Sequence, residues 1–238
     1  MSEHIQLGDI RVEVQRKNNK HAHLYVYPTE GRVHISAPLL MWLDALRAFA
    51  ISRLSWIKAQ QRQMRAQPRE TEREYLNRES HQVWGRRYLL EVIEVNAAPV
   101  VELKHSALVL QIRPGSDEAR REALLESWYR EQLRAKLPVL LGKWQPLMGV
   151  NVRRILVQRM KTRWGGCNPS TGNIRLNTEL AKKPPECLEY ILIHELAHLI
   201  EPTHSNRFLA LMDKFMPHWR QIKDELNRLP VRHEEWDH

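Results

Sequence analysis

The run at residues 190–200 constrains the fold more than any other part of the chain, because it is almost entirely apolar yet contains three ionisable side chains. His194, Glu195 and His198 form an H-E-x-x-H motif within it. Residues four apart lie on one face of a helix, so both imidazoles can reach a single ion. Burying three ionisable groups among apolar residues is costly unless they are paired or bind a metal. The run therefore predicts a buried, metal-binding helix.

A proline ends this predicted helix and brings a third ligand within reach. Pro202 disfavours helical geometry at Glu201, so the chain turns there and can carry His204 back toward the metal. A catalytic zinc ion commonly has three protein ligands and an open fourth position. Glu201 competes for this role, since a residue seven positions after His194 lies near the same helical face. We favour His204 as the third ligand, and the sequence leaves both residues open.

The spacing of the three histidines is that of the metzincin pattern, but Glu201 stands where that pattern has a turn-forming glycine. By sequence the chain is therefore not a metzincin. Thr203 or Ser205 could cap a further helix over residues 206–215, in which case His204 would be a loop residue without a metal.

Glu195 indicates the chemistry of the predicted site. A zinc ion lowers the pKa of its bound water to about 7, and a carboxylate beside the ion can take the proton of that water and pass it to a leaving amine. The motif thus predicts a zinc-dependent hydrolase with Glu195 as general base. No residue in the sequence identifies the group that stabilises the oxyanion.

Several blocks of the sequence together resemble one protein family. They are residues 32–38, 56–58, 160–167, 172–177 and 190–208. These blocks resemble the bacterial YgjP-like metallopeptidase family, a relative of the SprT-like and WLM zinc proteases. The C-terminal blocks are the more specific ones, and the resemblance covers most of the chain.

This resemblance implies a zincin-like fold and a zinc ion that supports peptide-bond cleavage. The implied ligands are His194, His198 and His204, and the implied catalytic residue is Glu195. Relatives commonly have Trp-Gly-Ser-Cys where this chain has Gly166, and Phe-Trp where it has Phe208 and Leu209. Neither departure falls on an implied ligand, so both concern the substrate groove rather than the metal.

The segment before the motif helix carries the residues predicted to contact the substrate. Residues 155–160 and 173–177 have strand character, and residues 165–172 read as loop and turn. The second strand is predicted as an edge strand that can pair with an extended peptide, although an ordinary hairpin explains the pattern equally well. The candidate contacts are Lys161, Arg163, Trp164, Asn173, Arg175 and Asn177.

Two other functions would use the same residues. Some members of the resembling family are described as nucleotide pyrophosphatases acting on uridine triphosphate, and Lys161, Arg163 and Arg175 could hold phosphates. The absence of a G-x-x-x-x-G-K-[ST] loop argues against this function. The other is a DNA-associated module, either a protease recruited to DNA as SprT-like relatives are or a domain with structural zinc. An open three-ligand pattern argues against purely structural zinc.

The charge of the chain bears on the nucleic-acid hypothesis. Lys and Arg outnumber Asp and Glu by 37 to 28, which gives a net charge of +9 and favours polyanion binding. The excess is diffuse, however, and the tryptophans that could stack on bases fall in apolar-periodic stretches that predict core positions. These tryptophans are Trp56, Trp84, Trp128 and Trp144. Nucleic-acid contact therefore stays a secondary hypothesis.

The remaining patterns predict an α+β fold. Residues 10–14, 23–27 and 32–36 alternate in polarity and predict an antiparallel three-strand meander, followed by a long helix over residues 40–64. The apolar side of that helix is formed by Trp42, Leu46, Phe49, Leu54 and Ile57. A charged connector then divides a single domain, 1–238, into an N-terminal lobe, 1–70, and a zincin-like catalytic lobe, 75–238.

The catalytic lobe is predicted to begin with strands and a helix. The strands are residues 88–95, 100–103 and 107–112. Asp117 can then cap a helix, and a shorter helix is expected to follow Pro138.

Nothing in the sequence indicates a membrane or a disulfide scaffold. No apolar run approaches the roughly 18 residues that span a bilayer, and residues 1–4 do not begin a signal peptide. Cys167 and Cys187 are the two cysteines and are expected to be reduced thiols, with Cys167 a minor candidate for a fourth metal ligand. The expectation is a cytoplasmic protein that acts on a peptide or protein, has no membrane partner, and has an oligomeric state that the sequence does not predict.

Overall fold

The structure is a computed structural model that describes residues 3–27, 31–66, 73–160 and 163–230, without the side chains of residues 63–66. The described chain divides into two compact units. Residues 3–66 form the first unit and residues 73–230 form the second. Each unit encloses its own hydrophobic core.

The first unit is a four-stranded sheet with two helices. Its elements are β1 (Glu3–Leu7), β2 (Ile10–Lys17), β3 (His23–Val26), β4 (Val33–Pro38), α1 (Leu43–Ser52) and α2 (Leu54–Ala66). The strand order is β1-β2-β4-β3, in which β2 and β4 run parallel and the other two pairs run antiparallel. The predicted meander is therefore wrong in its strand order. β2 and β4 occupy the centre of the sheet, where β2 buries Ile10, Val12 and Val14 and β4 buries Val33, Ile35 and Ala37, whereas β3 at the edge buries no side chain fully.

The long helix predicted over residues 40–64 is interrupted at Arg53, where α1 ends and α2 begins. Leu46 and Ile57 are buried as predicted, whereas Trp42 is 84% exposed and Trp56 is also exposed. Trp42 lies before the start of α1 and so outside the helix on whose apolar side it was predicted. The prediction of a core position is wrong for both tryptophans.

The second unit begins with another four-stranded sheet. Its strands are β5 (Ser80–Val83), β6 (Arg86–Glu94), β7 (Val100–Leu103) and β8 (Ala107–Ile112). Their order is β5-β6-β8-β7, with β6 and β8 parallel. The three strands predicted in this region are confirmed as β6, β7 and β8, whereas β5 was not predicted.

A helix of 31 residues, α3 (Glu118–Met148), follows this sheet. The carboxylate of Asp117 accepts a hydrogen bond from the backbone N–H of Arg120 at 2.8 Å, which confirms the predicted cap. The predicted break at Pro138 is wrong, because α3 continues through it. An internal proline costs about 3 kcal/mol or more. α3 has a second internal proline, Pro146, and burial of six apolar side chains along the helix, at about 1.5–3 kcal/mol each, outweighs the cost of both prolines.

A three-stranded sheet lies beside the motif helix. Its strands are β9 (Arg154–Gln158), β10 (Gly165–Asn168) and β11 (Asn173–Asn177), in the order β10-β11-β9. Residues 165–168 were predicted as loop, and residues 173–177 as an edge strand. Both predictions are wrong, since β10 is the edge strand and β11 pairs on both sides. The two glycines of β10 have low strand propensity, so the sequence does not indicate a strand there. β10 forms a strand because it pairs with β11 and packs against α4.

The chain ends in a 3₁₀ helix and three α-helices. These are Thr178–Lys182, α4 (Pro185–Ile200), α5 (Asn206–Phe215) and α6 (Trp219–Arg228). Helix α4 carries the motif and stops directly before Glu201 and Pro202, as predicted. The mixture of sheets and helices confirms the predicted α+β class. Within the described ranges, no helix combines the length and the hydropathy that crossing a membrane requires.

Candidate metal centre

Helix α4 places the motif where the core meets the surface. Leu188, Leu192 and Leu196 of this helix are fully buried, which anchors α4 in the core of the second unit. His194 and His198 are half-buried, and Glu195 is only 5% exposed. The predicted buried helix is confirmed, and its imidazoles reach the edge of the core.

Three imidazole nitrogens converge at this edge. Nε2 of His194 lies 3.2 Å from Nε2 of His198 and 3.1 Å from Nε2 of His204. A tetrahedral zinc ion with bonds of about 2.0–2.1 Å separates its nitrogen ligands by about 3.3 Å, so this spacing fits zinc. A neutral imidazole has one N–H donor and one acceptor nitrogen, so three such nitrogens cannot all satisfy one another. A cation between them would satisfy all three lone pairs at once.

The turn after α4 brings His204 to this cluster and directs Glu201 elsewhere. The carboxylate of Glu201 accepts hydrogen bonds from the hydroxyl of Thr203 at 2.8 Å and from its backbone N–H at 3.4 Å. These bonds lower the pKa of the Glu201 carboxyl, and its oxygens are not among the converging ligand atoms. Nδ1 of His198 donates to the backbone carbonyl of Glu201 at 3.2 Å, which leaves Nε2 of His198 unprotonated and free to bind a metal.

Phe208 packs behind all three imidazoles. Its ring centroid lies 4.9 Å from that of His194, 4.6 Å from that of His198 and 4.8 Å from that of His204. The side chain is 1% exposed, and its backbone N–H donates to the hydroxyl of Ser205, which caps α5. Ser205 is one of the two predicted caps. The first turn of α5 therefore holds a rigid aromatic wall against the cluster.

We expect Phe208→Ala to lower the affinity for zinc by about 10–100-fold, as loss of a group that orients metal ligands does elsewhere. The cavity should also cost about 3–5 kcal/mol of the free energy of unfolding. Zinc titration with a competing chelator measures the first effect. Met212→Ala is the matched control, because Met212 is fully buried on the same helix and its loss should destabilise without changing zinc affinity. Equal zinc affinities for the two variants would contradict this role for Phe208.

Burial shifts all three histidines toward the neutral form, which is the form that binds a metal. Burial lowers the pKa of His194 to about 3, and the nearby charges of His198, His204 and Lys223 lower it further. Burial also lowers the pKa values of His198 and His204. The cluster is therefore ready for a cation without first releasing protons.

Glu195 lies beside the cluster and is not one of its converging ligand atoms. Burial raises the pKa of its carboxyl to about 8, and the positive charge of Arg163 opposes this rise. The Glu195 side chain packs directly against the backbone of Gly165 in β10. The motif glutamate thus faces the edge strand.

The residues predicted to contact the substrate divide into several groups. Arg163 is exposed, and its positive charge favours the ionised form of Glu195 by lowering its pKa. Trp164 is half-buried against the core, with Nζ of Lys183 at 5.8 Å from its ring centroid. Arg175 is exposed on β11, and Asn173 is half-buried at the start of that strand. Lys161 lies outside the described residues.

Asn177 has a different place from the one expected of a substrate contact. Its amide nitrogen donates to the carbonyls of Met160 at 2.7 Å and Arg163 at 2.8 Å. Its amide oxygen accepts from the backbone N–H groups of Glu179 at 3.2 Å and Met160 at 3.4 Å. These four bonds use the whole hydrogen-bonding capacity of the amide and fix the ends of the loop that carries Arg163.

Three residues near the site were not singled out as functional from the sequence. Phe208 looks like an ordinary apolar position of a helix, and Gly165 looks like a turn residue. Lys223 is exposed on α6, and its positive charge lowers the pKa values of His194 and His204. No sequence motif marks Lys223, because only the packing of α6 against α4 brings it near the cluster. Cys167 is half-buried and does not join the converging ligand atoms.

A buried helix with an H-E-x-x-H motif and a third histidine from the following turn form the arrangement by which metallopeptidases hold a catalytic zinc ion. Comparison with protein-family models matches residues 20–229 to the YgjP-like metallopeptidase domain. The chain belongs to the YgjP-like metallopeptidase family and is a hydrolase. This confirms the family resemblance seen in the sequence.

Solved structures of two archaeal metallopeptidase zymogens are similar to part of the chain. Abylysin of Pyrococcus abyssi shares 28% identity, with 40% of this chain and 98% of that chain covered at a TM-score of 0.35. Jannalysin of Methanocaldococcus jannaschii shares 20% identity, with 37% and 91% covered at a TM-score of 0.34. No curated protein matches the chain.

Proposed function

We propose that the protein is a zinc peptidase whose catalytic lobe is the second unit, residues 73–230. His194, His198 and His204 would hold the metal, and Glu195 would act as general base. The proposal is carried by the convergence of three imidazoles beside a buried carboxylate, with Nε2 of His194 at 3.2 Å from that of His198 and 3.1 Å from that of His204. Membership of a metallopeptidase family supports a peptide or protein as the substrate.

The roles of the side chains follow from their positions. Zinc in such a site acidifies a water molecule and polarises the scissile carbonyl. Glu195 would accept a proton at its carboxylate and deliver it to the leaving amine. Arg163 keeps the carboxylate form of Glu195 accessible, because its positive charge opposes the effect of burial. The hydrogen bond from Nδ1 of His198 to the backbone carbonyl of Glu201 fixes the orientation of the His198 ring.

The outer edge of β10 offers backbone hydrogen bonds to an extended peptide. In an antiparallel pair, alternate residues turn their N–H and C=O groups toward the partner strand. The N–H of Asn177 donates to the carbonyl of Trp164 at 2.9 Å, so the next residue of β10 to face β11 is Gly166. The backbone groups of Gly165 and Cys167 therefore face the outer edge, where the described strands provide no partner.

An extended peptide added at this edge would lie beside the general base. It would hydrogen-bond to Gly165 and Cys167, and Glu195 packs against the first of these residues. In such pairing the main-chain hydrogen bonds contribute affinity, and specificity comes from pockets for alternate side chains. We infer a peptidase that binds its substrate as an extended segment.

Incubation of the zinc-loaded protein with a defined peptide mixture, and separately with nucleoside triphosphates including UTP, tests this function. Peptide cleavage that disappears after chelation and returns with zinc is expected, with mass spectrometry to identify the products. Zinc-dependent UTP hydrolysis without peptide cleavage would contradict the proposal and favour the pyrophosphatase. DNA binding that weakens steeply with salt, together with cleavage of DNA-bound proteins, would instead identify a DNA-associated protease.

A further inference from the structure

We propose that Gly165 is a positioning residue for the general base, because its missing side chain leaves the space that the Glu195 carboxylate occupies. This inference rests on the proposed role of Glu195. A Cβ atom built on Gly165 would lie 2.6 Å from Oε1 and 3.0 Å from Cγ of Glu195. It would also lie 2.8 Å from Cγ2 of Ile191. Non-bonded carbon atoms normally stay about 3.5–4.0 Å apart, so a methyl group does not fit there.

The backbones of α4 and β10 are both held in place beside this contact. Helix α4 is anchored by side chains that are fully buried, including Leu192 and Leu196. β10 is held by β11, in which Leu176 is fully buried opposite Gly165. Asn177 adds a backbone hydrogen bond at the start of β10. A methyl group at position 165 would therefore displace the side chain of Glu195, which is the most movable of the groups around it.

The requirement for glycine does not come from the backbone conformation of Gly165. Six glycines of the described chain have positive φ angles, and Gly165 is not one of them. An alanine could adopt the same strand conformation, so the constraint is the space and not the dihedral angle. Gly165 therefore contributes in two ways. Its backbone N–H and C=O groups face the proposed peptide, and its missing side chain leaves space for the carboxylate of Glu195.

The adjacent glycine provides a matched control. A Cβ atom built on Gly166 meets no atom within 4 Å, although both glycines lie in the same short strand. Gly166→Ala changes strand propensity as Gly165→Ala does, without touching Glu195. The two variants therefore separate the effect of the methyl group on the base from its effect on the strand.

We expect Gly165→Ala to lower kcat by about 100-fold, the cost of displacing a catalytic group by about 1 Å. KM and zinc content should stay at wild-type values, and Gly166→Ala should lower kcat by much less than Gly165→Ala does. In the Glu195→Asp background, Gly165→Ala should lower kcat by less than in the wild-type background, because the shorter side chain removes the 2.6 Å contact between the methyl group and Oε1. An unchanged kcat for Gly165→Ala, or an equal loss in both backgrounds, would overturn the proposal.

Two further measurements keep this test decisive. If Gly165→Ala fails to fold, adding Ile191→Ala and Glu195→Ala together should restore folding, because these substitutions remove all the atoms that the methyl group meets, and continued misfolding would refute the proposal. If the wild-type protein cleaves no peptide, the proposed function fails separately. A crystal structure of Gly165→Ala then decides the positioning role, which requires that the Glu195 carboxylate has moved.

Discussion

Glu195→Gln is expected to lower kcat for peptide cleavage by about 10²–10⁴-fold, which is the usual contribution of a general base. Glutamine has nearly the shape of glutamate but cannot accept the proton. The Nε2 atoms of His194, His198 and His204 do not depend on this side chain, so the variant should still bind one zinc ion per chain. Elemental analysis and steady-state kinetics on the same preparation measure both properties.

Glu195→Gln also removes a buried ionisable group, so the stability of the variant provides a second test. Burial disfavours the charged form of Glu195, as its raised pKa shows, and the neutral amide avoids that cost. The variant should therefore be at least as stable as the wild type in thermal unfolding. A fully active Glu195→Gln protein would refute the assignment of the base. Loss of zinc together with activity would instead make Glu195 part of the metal site.

His204→Ala is expected to weaken zinc binding by more than the roughly 10–100-fold that loss of an outer partner causes, because a direct ligand is removed. The exposed His204 contributes little to the core, so the variant should fold normally. Isothermal titration of the metal-free protein with zinc measures the change. Peptidase activity should fall with zinc content and recover in part at high zinc concentration.

Glu201→Ala is the matched control for this ligand assignment. Glu201 directly follows the same helix, but its carboxylate binds Thr203 and does not face the cluster. Zinc affinity should therefore stay near the wild-type value, since the backbone carbonyl that orients His198 is retained. Zinc loss in Glu201→Ala with normal binding in His204→Ala would reverse the assignment of the third ligand.

The geometry of the candidate metal centre was largely predictable because its parts follow from local rules, whereas the roles of its residues stay predictions. The spacing of His194 and His198 needs only helical periodicity, and the end of α4 needs only Pro202. The choice between His204 and Glu201 was not local. It depends on a hydrogen bond from Thr203 and on the path of the turn, which no periodicity encodes.

The errors in the sheets have a different origin. Alternation of polar and apolar residues marks a strand but not its neighbours, so β3 and β4 exchange the places expected in a meander. β10 escaped prediction because Gly165 and Gly166 have low strand propensity. The first of these glycines is required by Glu195, a residue thirty positions away, and local propensity cannot register such a constraint.

Helix α4 owes its place to apolar contacts that do not involve the metal. Its leucines are fully buried in the core of the second unit, and the histidines occupy only the margin of that core. Zinc-finger domains, by contrast, fold only when the metal binds. Here apolar packing alone positions the motif helix, so we expect the second unit to stay folded after a chelator has removed the metal, as circular dichroism would show.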